Sequence, residues 1–398
     1  MQTIVLAAGK GTRMRPLTEN VPKPILPVAG KPLAAHTIDA AATAGASRII
    51  LVTGYEAETV REYFGDEYAG VAITYVTQET QNGTADAVAV ASEELTDDPF
   101  VVLNGDGLYD QSSLDTLYSS GPAVGSYRVD DPSSYGVLHT TPDDEQVTGV
   151  TEKPANPPSN LINTGAYVFP AEARDWLDVD ESDRGELELT DVLERACDQA
   201  TVSAVPFDRW LDVGRPWELL EANEWKLAEL DRDIAGDVSE DAHLRGDVVV
   251  EDGATVEPGV VVEGPALISD GATVGPNAYV RGATYVGPDV HIGHSVEIKN
   301  SVVMQETNVG HLSYVGDSVL GRDANLGAGT NVANLRHDDK AVKMRVKGET
   351  TSTGRRKFGV VVGDEAKTGI NTSLNAGVKL GSEAFTKPGE TLMRDRMS

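Results

Sequence analysis

The residues best suited to chemistry begin right after the first apolar run. Lys10, Arg13 and Arg15 follow Thr3–Ala8 within seven residues, with Gly9 and Gly11 among them. Glycine has no Cβ, so backbone N–H groups there can close on an anion. A strand feeding such a loop suits the phosphates of a nucleotide. The spacing is not that of a P-loop, which ends in Gly-Lys-Ser/Thr. Nor is it the dinucleotide fingerprint, because Met14 stands where a third glycine belongs. An ordinary strand–turn–helix fits the same letters. Lys23 sits between Pro22 and Pro24, which stiffen its backbone and place its ammonium. Asp106 ends the apolar run Pro99–Asp106. There it can hold Mg²⁺ through one oxygen while the metal takes phosphate oxygens, although a turn or cap role is plainer. Gln78, Gly83 and Thr84 lie in a polar turn able to offer amides and a Gln to a base edge. Glu152 and Asn163 border apolar runs and suit sugar hydroxyls. Lys153 suits a sugar phosphate, and Asp212 a second metal contact.

A second group lies far down the chain. Three of the seven histidines, His291, His294 and His311, crowd one region. No carboxylate or thiol stands at ligand spacing beside them, which argues against zinc. Each fits a satisfied turn histidine or an exposed one, and a histidine can also take or give a proton near neutral pH.

The charge distribution separates these two groups from the rest. The 398 residues carry 63 acidic and 33 basic side chains, a net charge of −30. Such a surface repels nucleic acid and anionic membrane, and it reads as adaptation to the salty cytoplasm of a halophile. Against this background residues 10–31 hold five basic side chains and one acid, and residues 340–357 hold seven and one. Two basic windows point to two sites for polyanionic small molecules. The lone Cys197 rules out a disulfide framework and reads as a core thiol. The apolar start is too short for a signal or a span, so a cytoplasmic location is expected.

The elements that position these groups alternate. Thr3–Ala8, Arg48–Thr53, Val71–Val76 and Pro99–Asp106 read as strands, and Leu33–Ala44 and Ala57–Tyr63 as helices. This is a Rossmann-like α/β domain on a mostly parallel sheet, with ligands beyond the strand C-termini. Residues 216–232 read as a helix opened by a proline, a bridge out of this domain. The period then changes. Val250, Val256, Val262, Ile268, Val274, Val280, Val286, Ile292 and Ile298 recur every six residues. The register slips by one before Val303, Val309 and Val315, and again before Leu320, Leu326 and Val332. It breaks over 335–358, at the second basic window, and returns at Val362, Leu374 and Leu380. This is the hexapeptide signature of a parallel β-helix. The expected domains are 1–225, a connection at 226–240, and a β-helix at 241–398.

Leu6–Thr18, Pro22-Lys-Pro24, Asn82-Gly-Thr84, Gly105-Asp106, Glu152-Lys-Pro154 and Trp210–Gly214 together resemble the sugar-1-phosphate nucleotidylyltransferases. The resemblance implies that a sugar 1-phosphate attacks the α-phosphorus of a nucleoside triphosphate, UTP or dTTP, and releases pyrophosphate, with Mg²⁺. It assigns Arg13 and Lys23 to phosphate polarisation and Asp106 and Asp212 to the metal. Leu6, Gly9, Gly11, Thr12, Gln78, Gly83 and Thr84 fall to the nucleotide. Gly136, Glu152, Lys153, Asn163 and Thr164 fall to the sugar phosphate.

The second half resembles the hexapeptide acyltransferases, and most closely the acetyltransferase domain of GlmU-type bifunctional enzymes. His291–Lys299 and Gly310–Thr330 carry the match. It implies a left-handed β-helix, assembly as a homotrimer or dimer of trimers, and acetyl transfer from acetyl-CoA to an amino-sugar 1-phosphate. His311 is the matched base. Arg281, Lys299, Tyr314 and Asn325 match the amino-sugar phosphate contacts, and Ala328, Asn334, Lys340 and Lys343 the acetyl-CoA contacts. The sequence departs from the bacterial pattern after Thr330, where Asn334-Leu335-Arg336 replaces Asn-Tyr. Its longer basic loop looks like archaeal versions. Two rival readings are a monofunctional nucleotidylyltransferase whose β-helix only builds a trimer, and a non-catalytic scaffold subunit. The first has to explain His311, Lys299 and Tyr314; the second has to explain why Lys23, Asp106 and Asp212 are all present.

Overall fold

A computed structural model describes every residue except Asp183. The chain forms two compact units. The first comprises residues 1–10, 22–25 and 32–212. The second comprises residues 11–21, 26–31 and 213–398. Two short pieces of the opening region therefore group with the β-helix.

The first unit is built on a ten-stranded sheet. Its centre is Gln2–Leu6, flanked in parallel by Arg48–Thr53 and Phe100–Asn104; Val71–Thr77 lies parallel beyond Arg48–Thr53. These strands are apolar at nearly every position because both faces are covered. Ile4, Ile50, Val52 and Val102 enter one core, while Val5, Ile49, Leu51 and Leu103 enter the other. On the far side the pairing turns antiparallel. Leu161–Phe169 runs against both Phe100–Asn104 and Ala123–Arg128, and Gly136–Thr140 pairs with Gln146–Glu152. The five-residue connection 141–145 can reverse a chain but cannot carry a parallel crossover. Cys197 is half-buried against the first of the two cores, and burial pushes its thiol up to about 11.

The second unit is a left-handed parallel β-helix whose three faces are parallel sheets of eight, seven and eight strands. The hexapeptide residues point inward. Val250, Ile268, Val286, Val303, Leu320, Val362 and Leu380 stack on one face, and corresponding columns line the other two. Successive turns advance by 18 residues until Tyr285, which pairs with Val302 one residue short, and this accounts for the slips in register. The column is interrupted at Thr368. Its hydroxyl is buried and satisfied by Thr330 Oγ1 at 2.7 Å and by the Gly327 amide at 2.9 Å, so a polar residue is tolerated inside.

One face carries an outward column that is also apolar: Leu267, Tyr285, Val302, Val319 and Val361 are all buried. The helix Pro216–Leu227 packs there, five residues shorter than expected from the sequence, and Gly30 approaches Leu267 so closely that a Cβ would lie 2.8 Å from its side chain. The column ends in Lys379, only 8% exposed, which donates to the Arg15 carbonyl at 3.4 Å. Burial lowers its pKa. The break in the repeat is an antiparallel hairpin, Lys343–Val346 against Glu349–Ser352. Met344 and Val346 point down and Lys343 and Arg345 point out. Among the described residues no helix is long and apolar enough to cross a membrane.

Candidate functional sites

In the first unit the C-terminal edge of the parallel strands gathers the predicted groups. The chain leaves Leu6 with the Ala7 amide bonded to Val52, and the Gly105 amide bonded to Leu6 at 2.9 Å. Gly54 passes so near Ala8 that a Cβ would lie 2.7 Å from its carbonyl. Gly9 is exposed and faces open space, which leaves its backbone accessible. Beyond this edge Lys23 is almost fully buried, and its ammonium makes an ion pair with Asp106 Oδ2. Asp106 stays about one-third exposed and its Oδ1 makes no part of this pair. The short strand Gly107–Tyr109 pairs with Trp210–Asp212, setting Asp212 opposite Gly107. Both carboxylates act on Tyr109: burial raises its pKa first, then Asp106, then Tyr167 and Asp212. The two predicted metal residues thus lie around one buried phenol.

The base-reading turn is constrained by backbone. Gly83 has φ +135°, and a Cβ there would collide with the Leu187 backbone. Gln78 is buried and donates to the Gly83 carbonyl at 3.1 Å and to Asp86 at 2.6 Å. The Thr84 hydroxyl accepts from the Leu189 amide at 2.9 Å, so it also fastens the start of the helix Leu189–Gln199.

The sugar-phosphate group is assembled by the antiparallel strands. A Cβ on Gly136 would lie 2.8 Å from Asn163 Nδ2 and 2.9 Å from Glu152 Oε2, so these three converge. Lys153 Nζ is 3.2 Å from Glu152. Thr164 does not join them through its side chain. Strand alternation turns it to the opposite face, where its buried hydroxyl packs at Gly125 without a partner. Three residues that motif reading passed over are present instead. Arg184 lies 3.6 Å from Glu152 and pairs with buried Glu188, and Thr190 lines the space over Gly136. Their only sequence signal is the charged run Arg184–Glu188 beside an apolar helix start.

Gly11, Thr12 and Arg13 group with the second unit. Gly11 takes φ +60° and starts a short 3₁₀ turn over Thr12–Met14. Its carbonyl accepts from Thr18 Oγ1 at 2.8 Å, closing the loop on itself. The Arg13 guanidinium lies over Gly214, where a Cβ would come within 2.7 Å, and Glu218 accepts from the Gly214 amide at 2.8 Å.

On the β-helix the register does the positioning. Arg281, Lys299 and Gly316 are stacked neighbours on one face, as are Glu297 and Tyr314. Arg281 pairs with Glu297 at 2.6 Å, and Lys299 donates to Asp317 at 2.6 Å. Asn334, matched to acetyl-CoA by sequence, belongs with this group: its Nδ2 donates to the Tyr314 hydroxyl at 3.0 Å and to Asp317 at 2.5 Å. Asn325 does not sit with them in one chain. It stacks on Asn308 on a different face of the prism. His311 lies exposed near the corner that joins those faces, its Nδ1 close to Gly293, and Ala328 follows one turn on. In the basic window Arg355 pairs with Glu224, and Arg356 with Asp339 at 2.7 Å. Lys340 and Lys343 stay exposed.

Residues 2–229 match the nucleotidyl transferase family, and residues 262–382 match the GMPPB C-terminal domain. Over its full length the chain is 40% identical to the bifunctional protein GlmU of Methanocaldococcus jannaschii, covering 95% of that protein. It is 36% identical over 99% of its length to a bifunctional sugar-1-phosphate nucleotidylyltransferase/acetyltransferase of Sulfurisphaera tokodaii, covering 98% of it. A shorter relative, the UTP–glucose-1-phosphate uridylyltransferase AglF of Haloferax volcanii, is 38% identical over 56% of this chain and 96% of its own. Among solved structures a UDP-glucose pyrophosphorylase complexed with UDP-glucose is similar, at 25% identity and a TM-score of 0.53 over 57% of this chain and 98% of that one. Similarity that runs unbroken through both units, and the nucleotidyl transferase match across the first, place this chain in the bifunctional GlmU family.

Proposed function

We propose that the chain catalyses two successive transfers: acetyl from acetyl-CoA to an amino-sugar 1-phosphate, then uridylyl or thymidylyl from UTP or dTTP to a sugar 1-phosphate. The observation that carries the second step is the buried Lys23–Asp106 pair with Asp212 opposite Gly107. Two carboxylates at a sheet edge suit Mg²⁺, whose remaining positions substrate phosphate oxygens and water fill. Asp106 and Asp212 would hold that ion, which would offset charge on the phosphates. Lys23 binds phosphate oxygens and draws charge from the α-phosphorus as the sugar phosphate oxygen attacks and pyrophosphate leaves. Gly136 leaves room for a sugar between Glu152 and Asn163, while Lys153 and Arg184 offset its phosphate. The names of the relatives favour a uridine nucleotide and include glucose 1-phosphate as a sugar phosphate.

At the β-helix His311 takes the proton from the amine as nitrogen bonds to the thioester carbonyl, and the carbon–sulfur bond breaks to release CoA. Arg281, Lys299 and Tyr314 hold the amino-sugar phosphate, and Lys340 and Lys343 offset the phosphates of CoA. The resemblance puts Asn325 at this site although it shares no face with Lys299; in a homotrimer a neighbouring copy would supply it. The test scans glucosamine, galactosamine and glucose 1-phosphates against UTP and dTTP, with and without acetyl-CoA, in high salt. CoA release only with amino sugars, and pyrophosphate release with the acetylated product, are expected. No CoA release with any amino sugar would leave the β-helix a scaffold.

A further inference from the structure

Asp317 is the node of the proposed acetyl-transfer site. It is 3% exposed, and its carboxylate accepts from Lys299 at 2.6 Å, Asn334 at 2.5 Å and Asn300 at 3.1 Å. A buried carboxylate with three donors has one orientation only while all three stay in place. Asn334 also donates to the Tyr314 hydroxyl at 3.0 Å, so the orientation of Asp317 sets that of Lys299 and Tyr314, the groups assigned to the sugar phosphate. The third donor, Asn300, has its own constraint. The same Nδ2 that donates to Asp317 donates its other hydrogen to Glu224 Oε1 at 2.7 Å. Glu224 lies on the helix Pro216–Leu227, 76 residues earlier. Its carboxylate is gripped in turn by both terminal nitrogens of Arg355, from the far end of the basic window. A two-pronged guanidinium grip fixes the carboxylate plane.

We propose that Glu224 is a positioning residue of the acetyl-transfer site: held by Arg355, it fixes the Asn300 amide, and through Asn300 it holds Asp317, Lys299 and Asn334 in the geometry that receives the amino-sugar phosphate. The grip spends Arg355 internally, so this cation is withdrawn from the set available to CoA phosphates. It also makes the helix following Trp210–Gly214 part of the acetyl site's support. The inference rests on the acetyltransferase reading above.

The full-length protein is tested as Glu224→Met, which removes both contacts, and Glu224→Gln, which keeps an acceptor for Asn300. Lys299→Met is the control for the site itself. For Glu224→Met we expect KM for the amino-sugar 1-phosphate to rise about fivefold to thirtyfold. KM for acetyl-CoA and the rate of pyrophosphate release should hold, and Glu224→Gln should fall between. Combining Glu224→Met with Arg355→Met should cost no more than the single change. Unchanged KM in Glu224→Met, or equal loss of both activities with a lowered Tm, overturns the inference while Lys299→Met remains defective. If Lys299→Met acetylates normally, the acetyltransferase reading of this face fails instead.

Discussion

The two units bring distant residues together by different means. In the first, residues far apart in sequence are brought together just past the end of Phe100–Asn104: Lys23, from a short 3₁₀ turn, pairs with Asp106, and Asp212, on a separate two-stranded ribbon, is set opposite Gly107. In the second, Arg281, Lys299 and Gly316 are stacked by a period of 18 and then 17 residues. A sheet edge collects short loops whose geometry each glycine decides. A solenoid places side chains by arithmetic and leaves loops to interrupt it. Faults should therefore behave differently: local and chemical in the first unit, separable from it in the second.

The largest effects should be reciprocal. Asp106→Asn is expected to slow pyrophosphate release about 10²–10³-fold and to leave CoA release unchanged. His311→Ala is expected to slow CoA release about 10²–10⁴-fold and to leave pyrophosphate release unchanged when N-acetylglucosamine 1-phosphate is supplied. Loss of both activities in either variant would merge the two sites that the structure keeps on separate elements. A smaller effect is expected at Gly83→Ala. The Cβ meets the Leu187 backbone at φ +135°, so the turn carrying Gln78 must shift. A cost of about 1–3 kcal/mol in denaturant unfolding, with a raised KM for the nucleotide, is the expected result.

The smallest effect concerns the last turn of the β-helix. The Arg396 guanidinium beside Glu390 lowers its pKa to about 2. A carboxyl held below its unfolded value contributes stability above about 4.5, and that contribution is lost as pH falls toward 2. Protection of the amides at residues 390–396, relative to their intrinsic exchange rates, should therefore fall across that window in the native chain. In Arg396→Met that protection should already be reduced at neutral pH, with little change across the window.

How far the sequence could be read follows from the same contrast. The inward hexapeptide column was visible because every sixth residue must be apolar, and both slips in it are real one-residue shortenings. The outward column Leu267–Val361 was equally periodic, yet its meaning depends on what lies over it, which no spacing states. Lys23 and Asp106 were visible as a proline-held cation and a strand-end carboxylate. The side-chain direction of Thr164 was not legible, because adjacent strand residues face opposite ways and a motif does not say which face is wet. Asn334 was assigned to acetyl-CoA although it lies in the Tyr314–Asp317 group, because the hairpin after Val332 hides the register there. Arg184 and Glu188 form their ion pair over a stretch with no repeat or turn signature to mark it.

The central claim is that one chain makes the sugar phosphate it then activates. The direct measurement incubates purified protein with acetyl-CoA, glucosamine 1-phosphate and UTP and follows CoA and pyrophosphate together. The account predicts that CoA appears first, that pyrophosphate follows after a lag, and that His311→Ala abolishes both unless N-acetylglucosamine 1-phosphate is added. Pyrophosphate appearing without CoA, at the same rate in His311→Ala, would contradict it.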